Sequence, residues 1–589
     1  LARRLAARWT ATVWLAVAGT VTFAQEQPAS PATRPSELLQ RVDRLLDRRD
    51  GSADEEAFGL LTSVAGEGDA EVLVRLGYLY AHGRGTIINI DRAIENYRLA
   101  AAKGDPLGMN NLGYLLQSQR KDYAQAALWY RTAALAGNRE ALANIGYMYA
   151  HGLGVPQNAE EAVRWYRSGA ARGDPVSAYN LGHMYETGTG TDHDLAQALD
   201  WYRQAGEEGD GPAATAMAIR YEYGNGVAKD PVQELYWYKK GAERGEAASM
   251  LGVGYAYGTG EGAPVDYIEA MRWYRKAAVL GNSMAMFNLG LLFEQGKGTP
   301  KDDVQALGWY RRAAELGNVN AMFNVGWAYY KGEGTDKDLQ EAILWFRKAA
   351  EGGSAQAMFE IGYFYEKGMV GEKDDGAALE WYRKAAAAGD KTAMWSIGVS
   401  YRDGQGVPKD FDQALHWFHT AADAGNAYGM YLVGRSYARG EGVARDPVEA
   451  ARWYQRAADG GEELAMNDLG ELYRNGTGVS QDFGHAMELY KKAAENGSDA
   501  AYTNMGELYR NGQGVAQDYQ KALELLRKAA EKGRAAAMSD LGSMYEKGQG
   551  VVADIGEARR WYRKAADAGS EEGKAWLAAH PAETASRPG

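Results

Sequence analysis

An aromatic pair returns along this chain at a fixed interval, and that interval limits what the chain can fold into more than any other feature. Trp129-Tyr130 recurs as Trp165-Tyr166, Trp201-Tyr202, Trp237-Tyr238, Trp273-Tyr274, Trp309-Tyr310, Trp345-Phe346, Trp381-Tyr382, Trp417-Phe418 and Trp453-Tyr454, each step being 36 residues. The series runs on through Leu489-Tyr490 and Leu525-Leu526 to Trp561-Tyr562, and it starts at Asn96-Tyr97, 33 residues before Trp129. A glycine column keeps the same time, from Gly77 through Gly113, Gly146, Gly182, Gly254 and Gly290 to Gly542, broken by Ala218. The short step falls between Gly113 and Gly146, so three residues are missing from the second repeat, where Gln117 to Lys121 replaces the usual Gly-x-Gly turn. A period of this length marks supersecondary units that cannot bury their apolar faces alone and must stack.

One repeat, Asn282 to Gly317, shows what the unit is. Ala285, Leu289 and Phe293 recur at helical spacing, and Gly296-Lys297-Gly298 then stops this helix A. Helix B presents Ala306, Trp309, Tyr310 and Ala313 at i, i+3, i+4 and i+7, a buried stripe, with Arg311 and Arg312 near the negative end of its dipole. A closing glycine follows helix B in all fourteen repeats, from Gly104 through Gly317 to Gly569. The next residue is usually a helix starter: Asp105, Asn138, Asp174, Asp210, Asn282, Asn318, Ser354, Asp390, Asn426 or Ser498. Gly290 and its equivalents lie inside helix A, where glycine costs about 1 kcal/mol relative to alanine. A penalty repeated so often calls for close approach of the neighbouring helix, with the Trp-Tyr pair filling the remaining volume.

These residues make the sequence similar to the Sel1-like repeat family. Its pattern Ala-x-x-x-Leu-Gly-x-x-Tyr-x-x-Gly-x-Gly-Val, then Ala-x-x-Trp-Tyr-x-x-Ala-Ala, is legible almost letter for letter in Ala141 to Ala171, and the likeness extends over residues 69–569. The resemblance implies an all-α fold, a right-handed α-solenoid of about fourteen helix-turn-helix repeats, in which helix A lines the inner, concave surface. For function it implies adaptors, assembly factors and regulators. A rival class, a cell-wall glycan binder or β-lactamase-like hydrolase, follows from the link of some similar repeat proteins to envelope polysaccharide and β-lactam recognition.

The ends of the array read differently. Arg3, Arg4 and Arg8 precede the apolar stretch Ala11 to Ala24, a secretory leader layout with cleavage expected near Ala24, which predicts a periplasmic or secreted protein. Residues 25–35, with Pro28, Pro31 and Pro35, read as a linker, and residues 36–68 as N-terminal capping helices. At the other end residues 570–589 supply a cap, carrying Trp576 and Leu577, and a tail.

Charge and composition narrow the chemistry. A net charge of −13 with no basic run argues against a nucleic-acid partner. The chain has no cysteine, which rules out thiolate metal sites, a cysteine nucleophile and lipid attachment through a leader cysteine. The Gly-x-Gly turns resemble phosphate-cradling loops, yet twelve copies with no P-loop lysine and no preceding strand make them turns. His416 and His419 sit three apart on a helix without an identifiable third ligand, and read as ordinary surface or half-buried histidines. The acidic pairs Asp302-Asp303, Asp374-Asp375 and Glu462-Glu463 fall at helix starts, where negative charge favours the dipole. No catalytic residue, cofactor site or metal site is expected, and the chain reads as a scaffold rather than an enzyme.

What escapes the lattice is the helix-A column of Phe287, expected opposite the core. From the seventh to the eleventh repeat it holds Phe287, Phe323, Phe359, Trp395 and Tyr431, with Trp327 and Tyr363 one turn on. Beside it runs an asparagine column, Asn111, Asn144, Asn180, Asn288, Asn324 and Asn504, read as a ladder between helices. The aromatic residues are the expected contact surface for an extended peptide or protein partner, because clustered exposed aromatics mark binding surfaces.

Overall fold

The computed structural model describes residues 37–48 and 50–581. The leader, the proline-rich linker and the last eight residues of the tail lie outside the described residues. Every regular element described is helical, 31 α-helices joined by short turns and no strand. The chain divides into two compact units, one ending at Leu316 and the other beginning at Gly317. Each unit is a run of antiparallel helical hairpins in which helix A packs on its own helix B and on the helix B before it.

Unit 1 opens with two helices, Glu37–Asp47 and Gly51–Val64, whose Leu39, Val42, Leu45, Leu46, Ala57 and Leu61 make a separate core against Leu76 and Leu79 of the first repeat. Seven hairpins follow, from Ala70–His82 with Ile90–Ala102 to Ser283–Gln295 with Asp303–Glu315. Unit 2 holds seven more, from Val319–Lys331 with Leu339–Glu351 to Ala535–Lys547 with Ile555–Asp567. Its last helix, Glu571–Ala579, stacks Trp576 on Tyr562 at 4.5 Å between ring centroids.

The punctuation follows from the residues. Each helix B begins at an Asp or Asn whose side chain accepts a backbone N–H of the first turn, as Asp302 does from Gln305 (2.9 Å) and Asp374 from Ala377 (2.8 Å). Such a cap contributes about 1 kcal/mol. Glu462, by contrast, starts its helix without a side-chain bond. Of the starters expected for helix A, Asn138, Asp174, Asp210, Asn282 and Asn318 cap in this way, whereas Ser498 makes no such bond.

Two glycines in each turn have distinct reasons. Gly296 ends its helix in the left-handed region (φ 64°), and Gly298 (φ 73°) lies so close to the first residue of the preceding helix B that a Cβ there would sit 2.8 Å from the Tyr267 carbonyl carbon. The turn is thus the joint between repeats, and a phosphate-cradle role is not needed to account for it. In the second repeat the three-residue deletion is absorbed by a π turn, Leu116–Arg120, closed by Lys121 with φ 57°.

The glycine inside helix A also has its reason. A Cβ on Gly254, Gly326 or Gly362 would lie 2.5, 2.6 or 2.7 Å from the ring of Tyr274, Phe346 or Tyr382 on the helix B of the same repeat. The second member of the aromatic pair fills that notch and is buried, whereas the first, where it is a tryptophan, is only half-buried in most repeats, Trp237 and Trp453 being the buried exceptions. Trp309 is only half-buried and lies under the Arg312 guanidinium, 4.8 Å from ring centroid to Cζ. Lys276, Lys348 and Lys384 cover Trp273, Trp345 and Trp381 in the same way at 3.8, 3.8 and 4.1 Å. The expected helix-B stripe is therefore Ala306, Tyr310 and Ala313, with Trp309 at its solvent edge.

Candidate functional site

The aromatic column does not stand opposite the core. Helix A is covered on two sides, by its own helix B and by the preceding one, so the column runs along the margin of the core, and its rings at Phe287, Phe323, Phe359 and Trp395 are half-buried. In unit 2 the half-buried Phe323 packs on the buried Phe346 (5.6 Å) and edge-on to Trp327 (6.2 Å), while Trp327 also meets Tyr330 (5.1 Å). Phe359 stacks on Tyr382 at 5.3 Å and 29°. Trp395 meets Tyr428 edge-on at 4.9 Å, and Tyr431 stacks on Tyr454 at 5.6 Å. Tyr431 is buried to 7% exposure, so of the expected contact residues it has the least to offer a partner. Tyr363 is half-buried with the Lys367 ammonium 5.4 Å from its ring centroid, and the Lys331 ammonium stands at the same distance from Trp327. In unit 1 Phe287 repeats the arrangement against Tyr310 at 5.7 Å.

Polar groups flank these rings. Glu360, beside Phe359 on the same helix, is pushed up to about 7 by burial, with Asp390 adding to the effect. Tyr431 is raised to about 12, chiefly by burial, and donates to Asp468 at 3.3 Å. Later helices A carry ion pairs between neighbouring repeats, Arg474 to Glu507 at 2.6 Å and Arg510 to Asp540 at 2.7 Å. Asparagine ladders do form: Asn144 donates to Asn110 and Asn504 to Asn467, both at 2.9 Å. Their acceptors belong to the Phe287 column, one position before the asparagine column itself.

Elsewhere the chemistry is structural. His419 packs edge-on against Trp453 at 5.1 Å and His416 against Trp417 at 6.0 Å. Among the described residues no group of three or more His, Asp or Glu side chains converges in metal-ligand fashion. A cavity of about 220 Å³ opens where the second repeat is shortened, lined by Tyr97, Asn111, Tyr114 and Gln119 among others. A further set of polar contacts was not anticipated from the sequence: the buried tyrosine of helix B donates to a glutamate near the end of helix A, as Tyr202 does to Glu186 at 2.7 Å and Tyr238 to Glu222 at 2.8 Å. The signal was present as a glutamate recurring in the column of Glu294, but it is filled in only some repeats.

Comparison with known proteins agrees with this architecture. The Sel1 repeat family matches fourteen consecutive segments, from residues 70–105 to 535–570. Protein sel-1 homolog 2 of Homo sapiens is 30% identical over 112 residues, which is 18% of this chain and 16% of that protein. An F-box protein of Arabidopsis thaliana is 31% identical over 96 residues, 16% of this chain and 26% of its own. The chain thus spans only a minor part of these relatives. A solved structure covers far more: a protective antigen present in uropathogenic Escherichia coli strains, described as displaying an SLR fold, is 30% identical with a TM-score of 0.55 over 79% of this chain and 99% of that one. A Sel1 repeat protein from Oxalobacter formigenes is 29% identical, covers 54% of this chain and 94% of its own, and has a TM-score of 0.46.

Proposed function

The chain belongs to the Sel1 repeat family, and from that premise we propose that it is a non-catalytic interaction scaffold of the bacterial envelope, holding an extended peptide or protein along its helix-A face. Sel1 repeats generally mediate protein–protein interaction, and the fold is generally a non-catalytic scaffold. The observation that carries the reading is the row Phe323, Trp327, Phe359, Tyr363 and Trp395 in consecutive repeats of unit 2, each ring half-buried and so partly exposed. Rings anchored in this way have lost their rotamer freedom before a partner arrives, which lowers the cost of binding. An envelope location is supported by the leader layout of Arg3, Arg4, Arg8 and Ala11 to Ala24, and by the bacterial relative of known structure. Among the described residues no helix is long and apolar enough to cross a membrane.

The test replaces Phe323 and Phe359 by Asp. Partners cross-linked to the wild-type protein in envelope extract and identified by mass spectrometry should be lost from the variant at unchanged helical content; equal capture by both refutes the reading. Turnover of a chromogenic β-lactam, or retention on isolated peptidoglycan, by the purified protein would instead favour the hydrolase or glycan-binding alternative.

A further inference from the structure

Strict periodicity allows residues two repeats apart to be compared as equivalents. Arg474 and Glu507 form an ion pair between adjacent helices A. Two periods of 36 residues earlier the same two places hold Arg402 and Arg435. Where one repeat junction closes its charges, the other sets two guanidiniums. The structure relieves this by turning Arg402 onto its own neighbour Asp403, with hydrogen bonds of 2.7 and 2.6 Å. Arg435 is half-buried and makes no hydrogen bond or ion pair among the described residues. The carboxylate whose field it shares, Asp403, is already engaged by Arg402, and the Tyr431 hydroxyl, which also lies in the field of Arg435, donates to Asp468.

The helical register gives this arginine company. Tyr428, Tyr431 and Arg435 stand at i, i+3 and i+7 on helix Ala427–Arg439, and Trp395 and Arg402 at i and i+7 on helix Lys391–Asp403, so each helix carries aromatics one to two turns before its arginine along one face. Trp395 and Tyr428 touch edge-on across the two helices.

We propose that Arg435 is a carboxylate subsite within the helix-A surface, taking an aspartate or glutamate side chain of the extended partner while Trp395 and Tyr428 receive the apolar residue beside it. This deepens the peptide-binding reading above and rests on it. A guanidinium fork matches one carboxylate in two parallel hydrogen bonds. One fork holds one compact carboxylate, and the net charge of −13 disfavours a nucleic acid or phosphate chain.

The experiment titrates the full chain with two fluorescein-labelled amidated hexapeptides, Ala-Leu-Ala-Leu-Asp-Ala and its Asn counterpart. The Asp peptide should bind the wild type about tenfold more tightly, the scale of a charge-assisted hydrogen-bonded pair. Arg435→Gln should erase that preference and leave the Asn peptide unaffected. Arg435→Glu should abolish Asp-peptide binding while raising the melting temperature, because it recreates the Arg474–Glu507 type of pair; this variant therefore tests recognition without any question of misfolding. Equal binding of both peptides by the wild type, an Asp preference surviving Arg435→Gln, or displacement by inorganic phosphate as effective as by unlabelled peptide would overturn the subsite. If neither peptide binds while capture sensitive to Phe323 and Phe359 persists, the subsite falls and the groove stands; if capture shows no such sensitivity either, both fall.

Discussion

The Tyr382 hydroxyl donates a 2.7 Å hydrogen bond to the Glu366 carboxylate, 16 residues behind it in the chain. Tyr202 with Glu186, Tyr238 with Glu222 and Tyr310 with Glu294 repeat the relationship, and in the shortened second repeat Gln117 takes the Tyr130 hydroxyl across 13 residues. Where helix B carries Phe346 or Phe418 instead, the place 16 residues back holds Tyr330 or Arg402 and no carboxylate. A buried hydroxyl needs an acceptor and a phenyl ring does not. The match is incomplete, since the same register sets Ala81, Ala150, Gly258, Ala438 and Arg474 against Tyr97, Tyr166, Tyr274, Tyr454 and Tyr490, and the buried Tyr490 hydroxyl makes no hydrogen bond among the described residues.

Removing the donor tests the pair. Tyr382→Phe should lower stability by about 1–2 kcal/mol, as it strips a half-buried carboxylate of a hydrogen bond. Adding Glu366→Tyr, which copies the Phe346 and Tyr330 arrangement, should recover most of the loss. Urea midpoints of the two variants check this; a double variant less stable than Tyr382→Phe would show that the pairing is not transferable between repeats.

Two glycine-to-alanine changes should have opposite signs. At Gly362 a Cβ would sit 2.7 Å from the Tyr382 ring, so Gly362→Ala overpacks the notch and should cost about 1–3 kcal/mol. Gly308 lies inside helix Asp303–Glu315 with nothing within 4 Å of its would-be Cβ, so Gly308→Ala should stabilise by about 0.4–1 kcal/mol through the unfolded chain. Thermal denaturation of the two variants decides it, and equal shifts would refute steric demand as the reason for the Gly362 column.

The fold was legible because its determinants are periodic. Gly290, Tyr310, Gly317 and Asp302 each belong to a column, and repetition separates a structural demand from accident. The candidate surface was less legible for the opposite reason. Exposure of Phe323 or Tyr431 depends on how the preceding helix B covers helix A, and a 36-residue period holds no information on that angle. The Glu366 acceptor and the Arg435 mismatch are harder to read, because glutamate fills the Glu294 column in only some repeats and Arg435 departs from its own column, so each gains meaning only beside Tyr382 and Glu507.

Burial ranks the aromatic pair differently from sequence. Trp309 is the larger residue, yet it is half-exposed beneath Arg312, whereas Tyr310 is buried against Gly290. Tyr310→Ala should therefore cost about 3–5 kcal/mol, in the range of a large core cavity, and Trp309→Ala about half as much. Because repeats share their interfaces, the first should also speed amide exchange in Tyr267–Val279, the helix B of the preceding repeat that packs on Ser283–Gln295. The reverse ranking by chemical denaturation would contradict the assignment of Tyr310 as the keystone.

Asp210 gives the array a pH response of predictable sign. It caps helix Gly211–Tyr223 through a 2.7 Å bond from the Ala213 N–H, and burial, reinforced by Glu246 and Asp174 against that bond, raises it from 3.8 to about 7. In the unfolded chain the carboxyl ionises near its ordinary value. Between about pH 4 and pH 7 this carboxyl therefore holds a proton in the folded state that the unfolded state has released, and its contribution to stability falls as pH climbs through that window and levels off above it. Asparagine caps equally well in this position, as Asn282 does for Ala285 at 2.9 Å, and carries no charge to desolvate. Asp210→Asn should thus flatten the slope of melting temperature against pH across that window and leave the protein about 1–2 kcal/mol more stable than wild type at pH 8. A melting series from pH 4 to 8 provides the check: an unchanged slope in Asp210→Asn would mean that the carboxyl ionises as freely in the folded chain as in the unfolded one, and that its burial has no energetic weight.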